Sequence, residues 1–568
     1  MADGMPNRDD GPMSEIPSTS SVVGQILDRI EAQPAKPCLV FHPQSLTISY
    51  GDLLQRSLLQ AALLRSVGAG RGDVIMIFLP TCPALYAAII GAMLLGAIPA
   101  CMPCPSPKQE PGQYWRDHRS LLARTAPRAV LTDSTTAAAM RASGLVSRND
   151  VTVLCVEHVG QPMNAVDIQA ARLDDVALLQ HSSGTTGLKK GVMLSNRAII
   201  AQVGAYAQAL HAAADDVVAT WLPVYHDMGL ISSTLIPLML GQTIAVLDPF
   251  AWAADPASLL RAIDRYRATL VWQPNFAFEH LVRMDRPDDA WVDLSCVRAF
   301  VNCSEPCRLP TMARFADRFA SRGVRAEQLQ VSYAMAETVF AVTQTEPGHV
   351  ARSLSCAAAA LRQDGVARSA NPGEQTVVVV SVGRPIAGMS LCVVGPDGAH
   401  CDDRVVGEVM VSGRCLFDGY FRLPDQTAER VTREGLRTRD MGFVVDGELF
   451  VLGRMDDLII VHGQNFYAGE IEATANRVAG VKPGRAVAFG IDNEEVGSQD
   501  AVLVAETDAI GMAGAGLQRR IKAQVLQEMG LALQAVRVVP DGWLSKTTSG
   551  KISREHNKAR YLSERGFG

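Results

Sequence analysis

The feature that most constrains the fold of this chain is a regular alternation of apolar helical patterns with short β-rich runs. It extends from residue 22 to about residue 250, with β-rich runs at residues 74–79 and 129–131 and a helical pattern at residues 50–67; a further helical pattern lies just beyond, at residues 257–266. Alternation of this kind is typical of layered sheets covered by helices. We therefore predict an α/β fold whose large N-terminal domain consists of layered sheets and helices.

The later part of the chain is predicted to contain a β-rich subdomain followed by a small α+β unit. The β-rich subdomain covers residues 377–411, and after Asp456 short strands alternate with helical patterns. A chain of 568 residues is too long for a single core. We place a boundary near Asp456, which gives an N-terminal domain over residues 22–455 and a small mobile C-terminal domain over residues 456–568.

Two stretches are predicted to lie outside the packed core. Residues 1–21 are polar and rich in Gly, Pro, Asp and Ser, and they lack the basic and apolar regions of a signal peptide. We interpret them as a disordered leader. Residues 352–376 are rich in Ala, Arg, Ser and Gly and contain an Asn-Pro-Gly turn, which predicts a surface insertion.

Composition and charge exclude several classes of function. The net charge is -6 and the pI is near 6.0, so no basic field is available to hold a nucleic acid. The twelve cysteines are scattered, and no second CxxC or HxxxH joins Cys101 and Cys104 as zinc ligands. Buried thiols in a reducing compartment are the simpler interpretation, and we expect a cytoplasmic protein.

The most apolar stretch, residues 84–102, has the length of a membrane span. Gly91, Gly96 and Pro99 interrupt it, and no flanking Lys or Arg residues anchor it. We predict a buried helix followed by a core strand at residues 97–102, and no membrane span.

The string 182-SSGTTGLKKGV-192 is the strongest indication of a ligand. A loop of Gly, Ser and Thr after an apolar run offers backbone N–H groups and hydroxyls to phosphate oxygens, and a lysine adds a positive charge. Its spacing is not that of a Walker A loop. A plain surface loop would explain the glycines but hardly the whole string. The predicted phosphate contacts are Ser182, Ser183, Gly184, Thr185, Thr186, Gly187 and Lys190.

This string resembles the phosphate loop of the adenylate-forming superfamily, which contains acyl-CoA synthetases, nonribosomal-peptide adenylation domains and luciferases. Lys189 stands where that family usually has Pro. Four further strings follow in the family's order: 333-YAMAET-338, 437-RTRD-440, 453-GRMDD-457 and 544-LSKTTSGKISR-554. The resemblance covers nearly the whole chain after the leader and implies ATP as substrate and Mg²⁺ as cofactor.

The resemblance also assigns roles around the nucleotide base and metal. Tyr333 is expected to stack on adenine, with Ala334 and Met335 beside it, and Ala334 replaces the family's usual Gly. Glu337 and Thr186 are expected to hold Mg²⁺, which suits a hard cation that also binds phosphate oxygens.

The remaining motif residues are assigned to the ribose, the hinge and catalysis. Asp440 is expected to accept hydrogen bonds from the ribose hydroxyls, with Arg454 on the same side of the nucleotide and Asp456 as the hinge between domains. Arg439 replaces the Gly that the family has before this Asp. Lys551 corresponds to the catalytic lysine that bridges the acyl carboxylate and the α-phosphate, where negative charge builds up during attack on phosphorus.

Three stretches resemble the fatty acyl-AMP ligases, the branch that loads acyl carrier proteins. In 221-WLPVYHDMGLI-231, His226 would lie between the acyl carboxylate and the nucleotide. In 302-NCSEP-306, Ser304 and Glu305 would lie against adenine. The third stretch, 264-DRYRATLVWQPNFAFE-279, contains apolar side chains that suit either a substrate tunnel or the core, namely Trp272, Phe276 and Phe278.

We therefore predict a ligase that converts a fatty acid and ATP to acyl-AMP and pyrophosphate and then loads a carrier protein. The insertion at residues 352–376 lies where this branch has its extra segment, which is associated with poor use of coenzyme A. The string 461-VHGQNFYAGEIE-472 departs from the branch pattern, so an acyl-CoA synthetase remains an alternative.

Adenylation of an aryl or amino acid is a further alternative, although no Phe-Asp-x-Ser segment is present to pair with a substrate amine. A nucleotide-binding protein without catalysis is disfavoured because Lys551, Glu337 and Asp440 are all retained.

Overall fold

The computed structural model describes most of the chain after the polar N-terminal stretch. The described residues are 21–105, 111–146, 151–158, 171–181, 190–493, 497–508, 512–546 and 552–565. The strands up to residue 345 are β1 (Pro37–His42), β2 (Leu46–Ser49), β3 (Val74–Phe78), β4 (Ile98–Cys101), β5 (Ala129–Thr132), β6 (Thr152–Cys155), β7 (Val176–His181), β8 (Gly191–Ser195), β9 (Val217–Thr220), β10 (Thr243–Leu247), β11 (Leu270–Gln273), β12 (Ala299–Asn302), β13 (Leu329–Ala334) and β14 (Ala341–Gln344). The later strands are β15 (Ser353–Ala357), β16 (Thr376–Val380), β17 (Arg384–Pro385), β18 (Met389–Val394), β19 (Gly407–Gly413), β20 (Leu436–Val445), β21 (Glu448–Arg454), β22 (Leu458–Val461), β23 (Gln464–Tyr467), β24 (Ala486–Asn493), β25 (Ser498–Thr507) and β26 (Ala535–Pro540).

Helices alternate with these strands along the chain. They are α1 (Val22–Ala32), α2 (Tyr50–Arg65), α3 (Pro83–Leu94), α4 (Pro111–Thr125), α5 (Ser134–Ala142), α6 (Asn196–Ala209), α7 (Ile236–Leu240), α8 (Pro249–Ala254), α9 (Ala257–Tyr266), α10 (Asn275–Met284), α11 (Leu309–Phe319), α12 (Pro424–Arg430), α13 (Ala468–Asn476), α14 (Met512–Met529) and α15 (Arg554–Arg565). A π-helix, Met228–Leu235, leads directly into α7.

The largest sheet of the described residues has nine strands in the order β17-β14-β13-β12-β11-β9-β10-β1-β2. The six strands from β13 to β1 in this order run parallel, and antiparallel strands close both edges. A second sheet, β4-β3-β5-β6, is parallel throughout. Its strand β3 is buried along its whole length, as expected for a parallel strand covered on both faces.

Local sequence signals explain where these helices begin. Ser49 and Asp52 form a capping box at the start of α2, each side chain accepting from the other's backbone N–H. The predicted buried helix and core strand at residues 84–102 are confirmed as α3 and β4. None of the described helices has both the length and the hydropathy needed to span a membrane.

The predicted boundary residue Asp456 lies in a short 3₁₀ helix, Met455–Asp457, between two sheets. Before it, β18 to β21 form an antiparallel sheet, and after it come the β22–β23 hairpin and the β24-β25-β26 sheet. Apolar residues of α13, β25 and α14 form a cluster of their own, which includes Ile471, Leu503 and Ile521. The sequence had not indicated β26 or α15.

The prediction that residues 352–376 form a surface insertion is wrong in part. The segment contains β15, which pairs antiparallel with β16, and a π-helical turn at Ala360–Asp364. Cys356 and Leu361 are buried in an apolar cluster, and Arg362 is only 7% exposed. Arg362 Nη1 donates to the carbonyl of Met529 at the end of α14, 3.1 Å away, so the insertion packs against the C-terminal part of the chain.

Candidate active site

Four loops meet at the edge of the nine-stranded sheet where its parallel strands end. Residues 221–227 follow β9, Pro274 and the first residues of α10 follow β11, residues 303–307 follow β12, and residues 335–338 follow β13. In an open sheet, ligands bind outside the carboxyl ends of parallel strands. The structure thus brings together four of the stretches singled out from the sequence, residues 221–231, 264–279, 302–306 and 333–338.

The predicted ribose side chains form one hydrogen-bonded group. Tyr333, the second-last residue of β13, donates from its Oη to Asp440 Oδ2 at 2.6 Å. Arg454 Nε lies 3.4 Å from Asp440 Oδ1. Asp440 is 7% exposed, and burial raises its pKa above the ordinary value although Arg454 and Tyr333 partly oppose this. Burial and the neighbouring carboxylate raise the pKa of Tyr333, so its hydroxyl stays protonated and donates.

A second group lies at the predicted phosphate end. Glu337 Oε1 accepts a hydrogen bond of 2.7 Å from Tyr420 Oη, and Lys190 Nζ lies 4.8 Å from the centre of the Tyr420 ring. Burial lowers the pKa of Lys190, and the nearby Arg430 adds to this effect. Glu337 opposes the lowering, which places its carboxylate within electrostatic range of the ammonium group.

Tyr420 is a site residue that the sequence motifs missed. Its segment is held by backbone hydrogen bonds to the start of β8 and to the loop after β13. Phe421 N donates to Gly191 O at 2.7 Å, and Phe417 N donates to Glu337 O at 2.9 Å. These contacts join parts of the chain that are far apart in sequence. No spacing rule could therefore have paired Tyr420 with Glu337.

The predicted adenine-side loop is shaped by its own side chains. Ser304 has a positive φ of 69°. Glu305 Oε2 accepts from the backbone N–H of Phe276 at 3.1 Å, at the start of α10. Glu305 thus has a clear structural role at a helix N-terminus. Its side chain ties the loop after β12 to the loop after β11.

His226 lies where the loop after β9 turns into the π-helix. Its Nδ1 is 2.5 Å from Asp227 Oδ1, and its carbonyl accepts from Leu230 N at 2.8 Å. The following Gly229 packs so closely that an added Cβ would lie 2.2 Å from the carbonyl oxygen of Pro223. π-Helices are frequent at functional sites because they re-aim a few side chains.

Aromatic residues line the same loops. Trp221 and Trp252 stack with their ring centres 3.5 Å apart and their planes 4° apart, and Phe276 meets both rings edge-on. Phe276 is 45% exposed. Trp272 and Phe278, by contrast, are core residues: Trp272 Nε1 donates to Tyr206 Oη at 2.9 Å, and Phe278 packs on Phe315.

Part of the predicted site falls outside the described residues. This applies to Ser182, Ser183, Gly184, Thr185, Thr186 and Gly187 of the phosphate loop and to Lys551. The loop's flanks are described: it connects β7 to β8, an antiparallel pair, so a strand that the sequence did not indicate lies between the loop and α6.

The segment just after Lys551 is firmly held. Arg554 donates from Nη2 to Glu472 Oε1 at 2.7 Å, from Nε to the carbonyl of Ala488 at 2.8 Å, and forms an ion pair with Asp457. Because Asp457 directly follows the predicted hinge residue, Arg554 connects the start of α15 to the segment between the two domains.

Comparison with known proteins identifies the family. A family model described as AMP-binding enzyme matches residues 27–421. A medium-chain-fatty-acid–[acyl-carrier-protein] ligase, JamA, of Moorena producens (strain JHB) is 32% identical over 405 residues, which are 68% of this chain and 68% of that protein. A 4-hydroxyphenylalkanoate adenylyltransferase of Mycobacterium tuberculosis (strain ATCC 25618 / H37Rv) is 29% identical over 546 residues, 91% of this chain and 86% of that protein.

The fold comparison agrees. A solved structure from studies of fatty acyl-adenylate ligases of E. coli and L. pneumophila superposes with a TM-score of 0.88 at 23% identity, covering 98% of this chain and 100% of that chain. The α/β fold and ATP as the nucleotide substrate, both predicted from the sequence, are thereby confirmed, and the chain belongs to the family of AMP-binding enzymes.

Proposed function

We propose that the protein activates a fatty acid with ATP, releasing pyrophosphate and forming acyl-AMP, and then transfers the acyl group to the phosphopantetheine thiol of a carrier protein. One observation carries the proposal. The polar groups around Asp440 and Glu337 lie at the same sheet edge as the ring of Phe276, which is 45% exposed and packs against the buried pair Trp221 and Trp252. A charged nucleotide and an apolar chain can therefore meet there.

The nucleotide is held in two places. Asp440 accepts hydrogen bonds from the ribose hydroxyls, with Tyr333 and Arg454 orienting its carboxylate. The loop of Ser304 and Glu305, with Ala334 and Met335 at the end of β13, lies against adenine. This arrangement leaves the phosphates to extend toward Glu337 and Lys190.

The phosphate end fits Mg²⁺. Glu337 supplies a carboxylate, which is a hard oxygen ligand, and Mg²⁺ typically takes one or two carboxylates together with substrate phosphates. The described side chains contain no group of three His, Cys, Asp or Glu residues that could hold a metal ion by themselves, so phosphate oxygens would complete the ligands. Thr186 of the phosphate loop would be the second protein ligand. When bound, the ion would neutralise phosphate charge.

The chain's own residues serve a two-step reaction. In the first step a carboxylate oxygen of the acid bonds to the α-phosphorus as the bond to pyrophosphate breaks, and Lys190 and Lys551 offset the negative charge that accumulates. In the second step the thiol sulfur bonds to the acyl carbon and AMP leaves. His226, at the turn into the π-helix, orients the acid carboxylate between the two halves of the site.

The part of the site next to the loop after β9 is apolar, and it suits an acid with an apolar chain. The half-exposed ring of Phe276 packs edge-on against Trp221 and Trp252, which are 7% and 2% exposed, so this part of the site presents an apolar ring backed by buried aromatic residues. The relative named for medium-chain fatty acids and an acyl carrier protein supports this substrate and this acceptor. An arylalkanoic acid is a second candidate, favoured by the relative named for 4-hydroxyphenylalkanoates.

We place the reaction in the cytoplasm. None of the twelve cysteines, all of which lie in described parts of the chain, is part of a disulfide, which fits a reducing compartment.

The test is mass spectrometry of the purified protein with ATP, Mg²⁺ and a series of fatty acids and 4-hydroxyphenylalkanoic acids. Acyl-AMP should form with one fatty-acid length and should disappear in Lys551→Ala. Added coenzyme A should yield little acyl-CoA. Efficient formation of acyl-CoA would instead identify an acyl-CoA synthetase, and adenylate formed only with the aryl acids would overturn the fatty-acid substrate.

A further inference from the structure

Arg439 occupies a backbone conformation that suits glycine. It lies in β20 at a register shift against β19 and has a φ of +60°. A residue with a Cβ rarely adopts this region, whereas glycine does so without cost. The family motif has glycine at this position, so this chain keeps a long charged side chain where the backbone favours none. A strained residue of this kind points to a task for its side chain.

The backbone of Arg439 is held in place by a buried carboxylate. Glu408 is 4% exposed, and its Oε1 accepts from Arg439 N at 2.9 Å while its Oε2 accepts from Arg437 Nε at 2.8 Å. Because the bulge is anchored by these hydrogen bonds, the direction of the Arg439 side chain is fixed by the sheet.

That side chain reaches the segment between the two domains. Arg439 Nε donates to Asp456 Oδ2 at 3.3 Å, and its Nη2 pairs with Asp456 Oδ1, so the guanidinium meets the carboxylate with two nitrogens. The two side chains are 46% and 41% exposed. An ion pair with this exposure contributes little to global stability. It can therefore break and re-form without unfolding either domain.

The neighbouring residue makes the matching contact. Asp440 pairs with Arg454, two residues before Asp456, and also binds Tyr333 of the nucleotide site. Two adjacent residues of β20 thus hold both ends of the chain segment at residues 454–456. The strand that carries the ribose carboxylate also holds the connection to the C-terminal domain.

We propose that Arg439 is a positioning residue that holds Asp456 and favours the domain orientation of this structure, and so sets the balance between acid activation and acyl transfer. The inference rests on the proposed function, in which the C-terminal domain moves between the two steps. Arg439 touches no reacting atom. Its effect is on the relative rates of the two steps.

The test compares Arg439→Gly with the wild-type enzyme. Glycine adopts the observed φ, so the variant should fold at least as well as the wild type. The matched control is Arg404→Gly, which replaces another arginine of positive φ (71°) whose guanidinium binds the carbonyl of Ala367. Activation is measured by ATP–pyrophosphate exchange with dodecanoic acid, and transfer by acylation of pantetheine.

Arg439→Gly should change the ratio of transfer to activation by about fivefold, the size expected for a half-exposed ion pair, with the two rates moving in opposite directions. Hydrogen exchange of the peptide around Asp456 should become faster in the protein without substrates. Asp456→Asn should give the same two changes, and the double variant should add nothing further.

An unchanged ratio with unchanged exchange, or equal changes in Arg404→Gly, would overturn the proposal. A parallel loss of both rates would also overturn it, because that result indicates general damage to the site. If the wild type forms no acyl-AMP from any acid, the proposed function fails; hydrogen exchange then decides separately whether Arg439 holds the hinge.

Discussion

Burial changes the proton affinity of the charged groups at both ends of the nucleotide site. At the ribose end it raises the pKa of Asp440, against the opposing effect of Arg454. At the phosphate end it lowers the pKa of Lys190. In the proposed function, ATP binding uses an ionised Asp440 and a protonated Lys190, so both shifts narrow the pH range in which the two groups carry these charges.

Lys190→Arg should widen this range at its alkaline side. In the wild type, Lys190 loses its proton below the ordinary lysine pKa of 10.5, so the KM for ATP should rise as the pH increases toward that value. Arginine stays protonated, so the rise should move to higher pH. The measurement is the KM for ATP between about pH 7 and about pH 10. Lys36→Arg, a substitution far from the site, should leave the profile unchanged, and an identical profile in Lys190→Arg would contradict the assignment.

Single residues differ in how far the sequence could indicate them. Asp440, Arg454 and Tyr333 were indicated by motif strings, and the structure brings all three together. Tyr420 was not, because its partner Glu337 is 83 residues away and the contact depends on loop pairing with β8. The role proposed for Arg439 could not be predicted from the sequence either, because the motif comparison showed only that Arg439 stands where the family has glycine.

At the scale of elements, the site depends on how the π-helix Met228–Leu235 leaves the loop after β9. The close approach of Gly229 to Pro223 lets the chain turn there and sets the position of His226. A π-helix is an irregular element whose extra residue must be tolerated by its surroundings. The tight packing at Gly229 provides this constraint.

Gly229→Ala should therefore be strongly destabilising. The added methyl group would meet the carbonyl oxygen of Pro223 at 2.2 Å, which forces the backbone apart and should cost about 3 kcal/mol or more. Gly204→Ala is the matched control: it lies within α6 with nothing close to an added Cβ, and it should stabilise the helix by about 1 kcal/mol. Urea unfolding measures both. Equal stability of the two variants would show that the backbone at Gly229 and Pro223 can move enough to accept the methyl group.

Elements with a strong apolar period were predictable, and short ones set by long-range pairing were not. The predicted helix at residues 257–266 corresponds to α9, and the predicted strands at residues 74–79 and 129–131 correspond to β3 and β5. The strand β8 was missed because its five residues lie between a glycine-rich loop and a helix, and β15 because the composition of residues 352–376 indicated a surface insertion; each gains its partner only in the fold. The extent of the two domains stays a prediction, as do the roles assigned to the site residues.

At the scale of the whole molecule, the insertion connects the two parts of the chain. Arg362 is buried between its own turn, the end of α14 and the ring of Phe466, whose centre is 5.1 Å from the guanidinium carbon. It also pairs with Glu470 at 3.5 Å. Burial raises the pKa of Glu470, and Arg362 opposes this rise.

Arg362→Ala should destabilise the protein, and more so at neutral than at acid pH. Without the arginine, Glu470 keeps its burial and loses its ion-pair partner, while Arg308 still acts on it, so the cost is about 1 to 3 kcal/mol when the carboxylate is ionised. Because the pKa of Glu470 is higher in the folded than in the unfolded protein, its ionisation destabilises the fold. The loss of stability in Arg362→Ala should therefore shrink as the pH falls toward 4.5, the ordinary pKa of a glutamate. The measurement is the thermal midpoint at several pH values.

Arg368→Ala is the control for this prediction. Arg368 belongs to the same insertion but pairs with Glu374 at the exposed surface, so its loss should not shift the midpoint. A pH-independent loss in Arg362→Ala would show that packing on Phe466, and not the charge of Glu470, accounts for the contact.

The pairing of Tyr333 with Asp440 has a consequence for how the protein is made and cut. The ribosome completes β13 well before β20 and β21, so a growing chain carries the tyrosine of the ribose group before the carboxylate and arginine that complete it. If these residues bind the nucleotide as proposed, binding requires the chain up to and including β21. A shortened form meant to keep it has to extend through Arg454, beyond the residues at which the family match ends.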